Sequence, residues 1–254
     1  MDLNLQDLYL FIFVLVRVGS IFAIAPFFSS SFIPTMIKVA LAVLLSFVIS
    51  FSNINFAEML NTTDIVMFTI HEVAIGLLIG LIASIVFRGA QIAGNMIDFS
   101  GGLSMAQTYS PLTGGRASVY GRMFPMVALT VFVIIDGPML FIQLIARSYE
   151  AIPNITQLTT DGIMIYIAKT VSGCVSIGVQ IAIPFVVMFL ISDITLGLIS
   201  RTIPQINVFI LGIPMRFLVG VLMVMILAGS IVANFEVLIE MMFKAVEQFV
   251  NALT

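Results

Sequence analysis

The chain has 254 residues, of which 61% are hydrophobic and 9% are charged, and its mean hydropathy is +1.20. Soluble domains contain about 45–50% apolar and about 25% charged residues, so this composition excludes a soluble globular domain and indicates an integral membrane protein. The net charge of −3 gives no basis for nucleic-acid binding. One histidine and one cysteine are too few for a disulfide or for the usual ligand sets of a metal site, so we expect neither a metal nor another cofactor.

Six hydrophobic blocks follow one another along the chain. A helix needs about 20 apolar residues to cross the ~30 Å hydrocarbon core of a bilayer. The blocks are Leu8 to Phe28, Ile37 to Ser52, Ile65 to Val86, Met123 to Ile145, Ile163 to Leu190 and Phe217 to Asn234. We therefore predict an all-α integral membrane protein. It has one membrane domain over residues 1–254 and about six hydrophobic helices, some kinked or broken.

Two charged residues lie inside the first and third blocks. Arg17 is central in its block, and Glu72 follows His71. A lipid-facing arginine costs roughly 2.5–3.5 kcal/mol or more, so we expect both side chains to face protein. Gly76 and Gly80 form a Gly-x-x-x-Gly spacing, which lets a second helix approach closely. The second histidine of a His-Glu-x-x-His zinc motif is absent.

A polar interruption, Gly94 to Arg122, separates the third and fourth blocks. Glycine and serine crowd this stretch, and Pro111 lies within it, so regular secondary structure is disfavoured. Backbone without regular hydrogen bonds cannot face lipid, because each unsatisfied amide costs several kcal/mol there. We expect the stretch to be wrapped by protein, to line a wet cavity or to leave the membrane.

Two further breaks are predicted nearer the C-terminus. Asp136-Gly137-Pro138 should kink or split the fourth block, since Gly-Pro cannot continue a helix cleanly. The segment from Arg201 to Arg216 contains Pro204 and Pro214 and is predicted to be a bent connector between helices. The amides of Gln205 and Asn207 can satisfy carbonyls exposed by the bends.

The tail, residues 235–253, is predicted to be an amphipathic helix. Its apolar residues recur at steps of three and four, and charged residues occupy the opposite face. The charged residues are Glu236, Glu240, Lys244 and Glu247.

Several charged residues have no evident partner within one helix bundle. They are Arg17, Glu72, Asp98, Asp136 and Asp193. An unpaired charge in hydrocarbon costs several kcal/mol. We therefore expect these residues, with Arg201, Gln205 and Asn207, to make contacts between helices or between subunits. We also expect the chain to fold poorly without partners.

Two other functions remain open from the residues alone. A small-molecule or ion-coupled secondary transporter could bind its coupling ion through Asp98, Asp136 and Asp193. An intramembrane protease would need His71 and Ser104 as a dyad, but Gly102-Leu103-Ser104 is a poor nucleophile motif. We expect no enzymatic activity.

Motifs spread through the chain resemble those of the FliR/SctT family of the type III export gate. They are Arg17 with Pro26 and Pro34; Glu72-x-x-x-Gly76-x-x-x-Gly80; Ala93-Gly94-x-x-Ile97-Asp98-x-x-x-Gly102-Leu103; Pro111-x-Thr113-Gly114; Ser148-Tyr149-x-x-Ile152-Pro153; and Arg201-x-x-Pro204-Gln205-x-Asn207-Val208-Phe209-x-x-Gly212-x-Pro214. The chain departs from that family at Ser110, where aspartate is usual, and at Asp136-Gly137-Pro138, where Gly-Gly-His is frequent.

The resemblance implies a subunit present once in a helical assembly with FliP-type and FliQ-type subunits, with an FlhB-type subunit outside. Unfolded export substrates would cross the bacterial inner membrane through its centre, within the flagellar basal body. The resemblance also favours a pore plug between Gly101 and Gly115, with glycine pairs as hinges. The predicted plug residues are Gly101, Gly102, Leu103, Met105, Tyr109, Pro111, Leu112, Gly114 and Gly115.

Overall fold

The computed structural model describes residues 5–30, 33–50, 62–102, 118–151, 160–203 and 208–251. These residues form eight helices and no strand, which confirms the predicted all-α class. The helices are α1 (Leu5–Ile24), α2 (Pro26–Ser29), α3 (Thr35–Ser50), α4 (Thr62–Ser100), α5 (Tyr120–Ile134), α6 (Gly137–Ala151), α7 (Thr160–Thr202) and α8 (Val208–Asn251).

Three helices are much longer than the hydrophobic blocks that predicted them. Helices α4, α7 and α8 have 39, 43 and 44 residues, which is about 58–66 Å at 1.5 Å per residue. Within the described residues, these three are long and apolar enough to cross a membrane, and the bent pair of α5 and α6 makes up to four spans. The predicted tail helix is the last part of α8 and is continuous with the sixth block.

The first block breaks at Pro26, which agrees with the prediction that some of the hydrophobic helices are kinked or broken. Helix α1 ends at Ile24, Ala25 has ψ 126°, and Pro26 begins α2. A residue before proline is pushed out of the helical region, and proline suits a helix start because its missing N–H has no helical partner there. The break leaves α1 with 20 residues, of which Leu8–Ile24 form the apolar part.

The split predicted at Asp136-Gly137-Pro138 is present. Asp136 has φ 56°, in the left-handed region. Its carbonyl accepts hydrogen bonds from Met139 N at 3.0 Å and Leu140 N at 3.1 Å, which starts α6. Pro138 therefore lies in the first turn of a helix, where its ring does little harm.

The two predicted irregular stretches are both shorter than expected. Helix α4 continues through Gly94 to Ser100, and α5 already begins at Tyr120. The helix persists past Gly94 because Ala93 and Ile97 are completely buried and packing supports it. Similarly, α8 begins at Val208 and contains Pro214. Neighbouring helices and local adjustments let long membrane helices tolerate such a proline.

The chain divides into two compact units. The first contains residues 1–86, 136–170 and 240–254, and the second contains residues 87–135 and 171–239. In the first unit, Phe28 stacks on Phe22 at 3.9 Å between ring centroids and lies 6.3 Å from Phe141 of α6. Helix α3 buries Ala42, Ser46 and Ile49 and leaves most of its other apolar side chains exposed.

The core of the second unit is aromatic. The ring centroid of Phe124 of α5 lies 6.3 Å from that of Phe185 of α7 and 5.8 Å from that of Phe235 of α8. Helices α4 and α7 pack closely at small residues, since a Cβ built on Gly178 would lie 2.9 Å from the carbonyl oxygen of Gly89. These contacts hold α4, α7 and α8 together around the first half of α5.

Candidate functional site

Arg17 lies at the centre of a buried polar cluster in the first unit. Its guanidinium donates to both carboxylate oxygens of Glu72, at 2.5 and 2.8 Å. Nη1 donates to the carbonyl and hydroxyl oxygens of Ser148 at 3.1 and 3.2 Å. The guanidinium carbon lies 3.9 Å from the ring centroid of Tyr149. Arg17 and Glu72 are 0% and 1% exposed, so a fully desolvated, bidentate ion pair joins α1 to α4, and the hydrogen bonds from Arg17 to Ser148 add α6.

The glycine pair beside this cluster brings α4 against α1. A Cβ on Gly76 would lie 2.6 Å from the carbonyl oxygen of Arg17 and 2.7 Å from Cβ of Ser20. A Cβ on Gly80 would lie 3.1 Å from Cβ of Ile24. The Gly-x-x-x-Gly spacing therefore serves the close approach that the sequence predicted, and that approach aligns Glu72 with Arg17.

Asp98 occupies a second buried site, in the second unit. Its carboxylate is on α4 and accepts four hydrogen bonds from the start of α5. Oδ2 accepts from Oγ of Ser118 at 2.6 Å and from N of Gly121 at 2.9 Å. Oδ1 accepts from N of Val119 and N of Tyr120, both at 3.3 Å. The carboxylate therefore serves α5 as an N-terminal cap provided by a different helix.

Close backbone packing accompanies the Asp98 contacts. A Cβ on Gly94 would overlap the carbonyl group of Tyr120 and the amide nitrogen of Gly121. A Cβ on Gly121 would overlap the side chains of Ser118 and Asn95. The glycines at both positions therefore allow α4 and the first turn of α5 to meet backbone to backbone.

The C-terminal end of α4 packs against a third charged group, the guanidinium of Arg216. Gly102 has φ +71°, and a Cβ there would lie 2.6 Å from a guanidinium nitrogen of Arg216. Arg216 in turn forms an ion pair with Asp193 of α7 at 2.6 Å, and this pair is partly exposed. Glycine is required at 102 for two reasons: it ends α4 in the left-handed conformation, and it leaves room for the arginine.

The structure corrects the prediction that the interior charges lack partners within the chain. Arg17 pairs with Glu72, Asp98 is bound by α5, and Asp193 pairs with Arg216. Asp136 and Arg201 are exposed. The sequence missed these pairs because the partners are 20 to 55 residues apart, beyond any local helix spacing. Unpaired interior charges therefore give no reason for the chain to fold poorly alone.

Some predicted site residues lie outside the described part of the chain. They are Leu103, Met105, Tyr109, Pro111, Leu112, Gly114 and Gly115 of the plug and Gln205 and Asn207 of the connector. Ser104 of the protease alternative lies there too. Gly101 and Gly102 are described: Gly101 N donates to the carbonyl of Ile97 at 2.8 Å, in the last turn of α4.

Sequence reasoning missed several residues that complete these clusters. Ser148 and Tyr149 stood out only as a motif, without a role, and neither Ser118 nor Arg216 was singled out. Arg216 had a signal, because it is a cation 23 residues after Asp193, across a predicted bend that would bring two helices side by side. For Ser118, no signal in the sequence distinguishes it from the other serines around it.

The described residues contain no group of three or more His, Cys, Asp or Glu side chains placed to hold a metal ion. Asp98 and Asp193 of the transporter alternative each have partners in the protein. Their oxygens are therefore engaged in holding helices together.

Comparison with known proteins identifies relatives along almost the whole chain. Residues 8–242 match the family described as bacterial export proteins, family 1. The flagellar biosynthetic protein FliR of Bacillus subtilis (strain 168) is 30% identical over 223 residues, which cover 85% of each chain. The protein of the same name from Aquifex aeolicus (strain VF5) is 28% identical, over 93% of this chain and 92% of its own. That from Escherichia coli (strain K12) is 25% identical, over 98% and 95%.

Proposed function

Because this chain belongs to family 1 of the bacterial export proteins, the FliR family, we propose that it is a core subunit of the flagellar type III export gate. With FliP-type and FliQ-type subunits it forms the pore through which unfolded export substrates cross the bacterial inner membrane. An FlhB-type subunit is a further partner. The role is structural and involves no catalysis. The family match over 8–242 is the observation that carries this proposal.

The length of the exposed apolar surface supports contacts with partner subunits in addition to contacts with lipid. Exposed large apolar residues occur along α7 from Met164 to Ile199, a length of about 53 Å. The hydrocarbon core covers only ~30 Å. Exposed apolar side chains outside the core need protein to cover them, because contiguous apolar patches on a free surface mark interaction sites. Ten large apolar side chains of α8 are exposed as well.

The transporter alternative receives less support. A coupling-ion site needs carboxylate oxygens that are free to coordinate, and Asp98 already accepts four hydrogen bonds from α5. Ion flux stimulated by a small-molecule substrate, measured with the purified chain alone in liposomes, would favour that alternative over the export gate.

Co-purification tests the assembly. We expect a tagged copy of this chain, expressed with the FliP-type and FliQ-type proteins of its own organism, to elute as one monodisperse complex. The chain expressed alone should give a lower monodisperse yield in detergent, because its apolar faces lack partners. The comparison uses equal expression levels checked by immunoblot. An equal monodisperse yield without partners, and no complex with them, would contradict the proposal.

A deletion tests the plug. Within the proposal, residues Gly101 to Gly115 close the resting pore, and we expect deletion of Met105–Thr113 to increase ion leakage across the membrane while the complex still assembles. The physical reason is that apolar side chains in a constriction exclude water and therefore ions. The control replaces the same nine positions by glycine and serine, which keeps the length but removes the side chains. Wild-type conductance in an assembled deletion complex would rule the plug out.

A further inference from the structure

A groove in the first unit lies between α6 and the C-terminal end of α8. Its volume is about 590 Å³, within the range of small-molecule and cofactor sites. On each helix the lining residues are three, four, seven or eight positions from the first, so they share one face of that helix. They are Leu140, Gln143, Leu144 and Arg147 of α6 and Phe243, Glu247, Val250 and Asn251 of α8.

The groove carries two opposite charges that do not pair with each other. Arg147 and Glu247 both line it, and both are exposed. Neither forms an ion pair within the part of the chain that the structure describes. Lys244, the other cation at this end of α8, does not line the groove and is paired with Glu240 at 2.7 Å. The lining therefore presents one cation and one carboxylate, and its formal charge is zero.

The rest of the wall is suited to hydrocarbon. Half of the lining side chains are apolar, and the apolar surface continues out of the groove along α6, where Leu140 is 43% and Met139 is 58% exposed. Helix α6 is half of the bent pair that can make one membrane span, so lipid can reach this surface. A water-soluble zwitterion would leave the apolar wall uncovered, whereas an amphiphile covers it and still brings a polar group to the charges.

We propose that this groove binds one zwitterionic phospholipid, with the phosphate on Arg147 and the ammonium on Glu247. Guanidinium and phosphate form bidentate, charge-assisted hydrogen bonds, and an ammonium donates to a carboxylate in a similar way. Basic pockets between membrane helices are known to hold lipid head groups. Here the carboxylate adds a selection, because an anionic head group offers no cation to balance Glu247. An acyl chain lies along Leu140 and Leu144.

Lipid titration of the purified full-length chain tests the proposal. Native mass spectrometry in detergent measures the binding of phosphatidylethanolamine and of phosphatidylglycerol with the same acyl chains. We expect phosphatidylethanolamine to bind about tenfold more tightly, because only its ammonium makes a charge-assisted bond to Glu247. Glycerophosphoethanolamine has the same head group without acyl chains. It should not displace the lipid at equal concentration, because it lacks the hydrocarbon contact.

Substitutions assign the two charges separately. Glu247→Gln should weaken phosphatidylethanolamine about tenfold and leave phosphatidylglycerol unchanged, whereas Arg147→Gln should weaken both lipids about tenfold. Leu144→Trp should weaken both by filling the groove without changing a charge. Lys244→Gln and Glu236→Gln are the matched controls, since they remove a cation and an acid of α8 that do not line the groove. Both should bind as the wild type does.

Three results would overturn the proposal. The first is equal affinity for the two lipids, or a preference that survives Glu247→Gln. The second is displacement of the lipid by glycerophosphoethanolamine at equal concentration, which would make the soluble head group the ligand. The third concerns a protein occupant: a photo-cross-linker at Gln143 in native membranes should give a lipid adduct, and a protein adduct would contradict the proposal. If Leu144→Trp fails to fold, Glu247→Gln still decides, because it keeps the side-chain volume and removes one charge.

Discussion

Replacing Arg17 by methionine is expected to destabilise the protein by about 3–5 kcal/mol, the range for breaking one partner of a buried ion pair. Methionine retains most of the volume of the arginine stem, so the loss is mainly electrostatic. It leaves the carboxylate of Glu72, which is 1% exposed, without the donors that balance its charge. The free energy of unfolding is measured by denaturant titration of the purified complex in detergent.

Two further variants identify the cause of the lost stability. Adding Glu72→Leu to Arg17→Met should recover much of the lost stability, because replacing both charges by apolar side chains is often neutral. Asp193→Asn should cost no more than about 1 kcal/mol, since its ion pair with Arg216 is partly exposed. If the double variant were as unstable as Arg17→Met, the stranded carboxylate would not be the reason for the loss.

Some features of the polar cluster around Arg17 could be predicted from the sequence, and others could not. Central charges in apolar blocks indicated that Arg17 and Glu72 face protein, and Gly76 and Gly80 indicated a close helix neighbour. Both inferences use short-range patterns. The identity of the partner was not predictable, because Ser148 is 131 residues from Arg17, and which helices meet is decided by packing of the whole unit.

The same limit explains why the polar interruption between α4 and α5 was predicted to be longer than it is. Its glycines and serines are typical of irregular structure, yet Gly94 to Ser100 is helical. Glycine is a poor helix former by about 1 kcal/mol relative to alanine, and tertiary packing outweighs a penalty of that size. At Gly94 the missing side chain is used for close approach, whereas at Gly102 the positive φ is what requires glycine. Composition alone does not distinguish these two uses.

The largest effect of a single methyl group is expected at Gly94. In Gly94→Ala, the new Cβ would overlap the carbonyl group of Tyr120 and the amide nitrogen of Gly121. Both are backbone atoms, which cannot rotate away as a side chain end can. Helix α5 must therefore shift off α4, and we expect destabilisation near the upper end of the overpacking range, about 3 kcal/mol. The same shift should speed amide exchange at the start of α5, because it lengthens the bonds to Asp98.

Gly229→Ala is the matched control. Gly229 lies on α8 in the same unit, and a Cβ there would meet nothing within 4 Å. Alanine in a helix interior is more favourable than glycine by roughly 0.5–1 kcal/mol, so this variant should be neutral or slightly more stable. Both variants add one methyl group to a helical glycine, and only one of them adds it against backbone. If Gly94→Ala matched Gly229→Ala in unfolding free energy and in amide exchange at residues 118–124, α4 and α5 would not meet backbone to backbone as described.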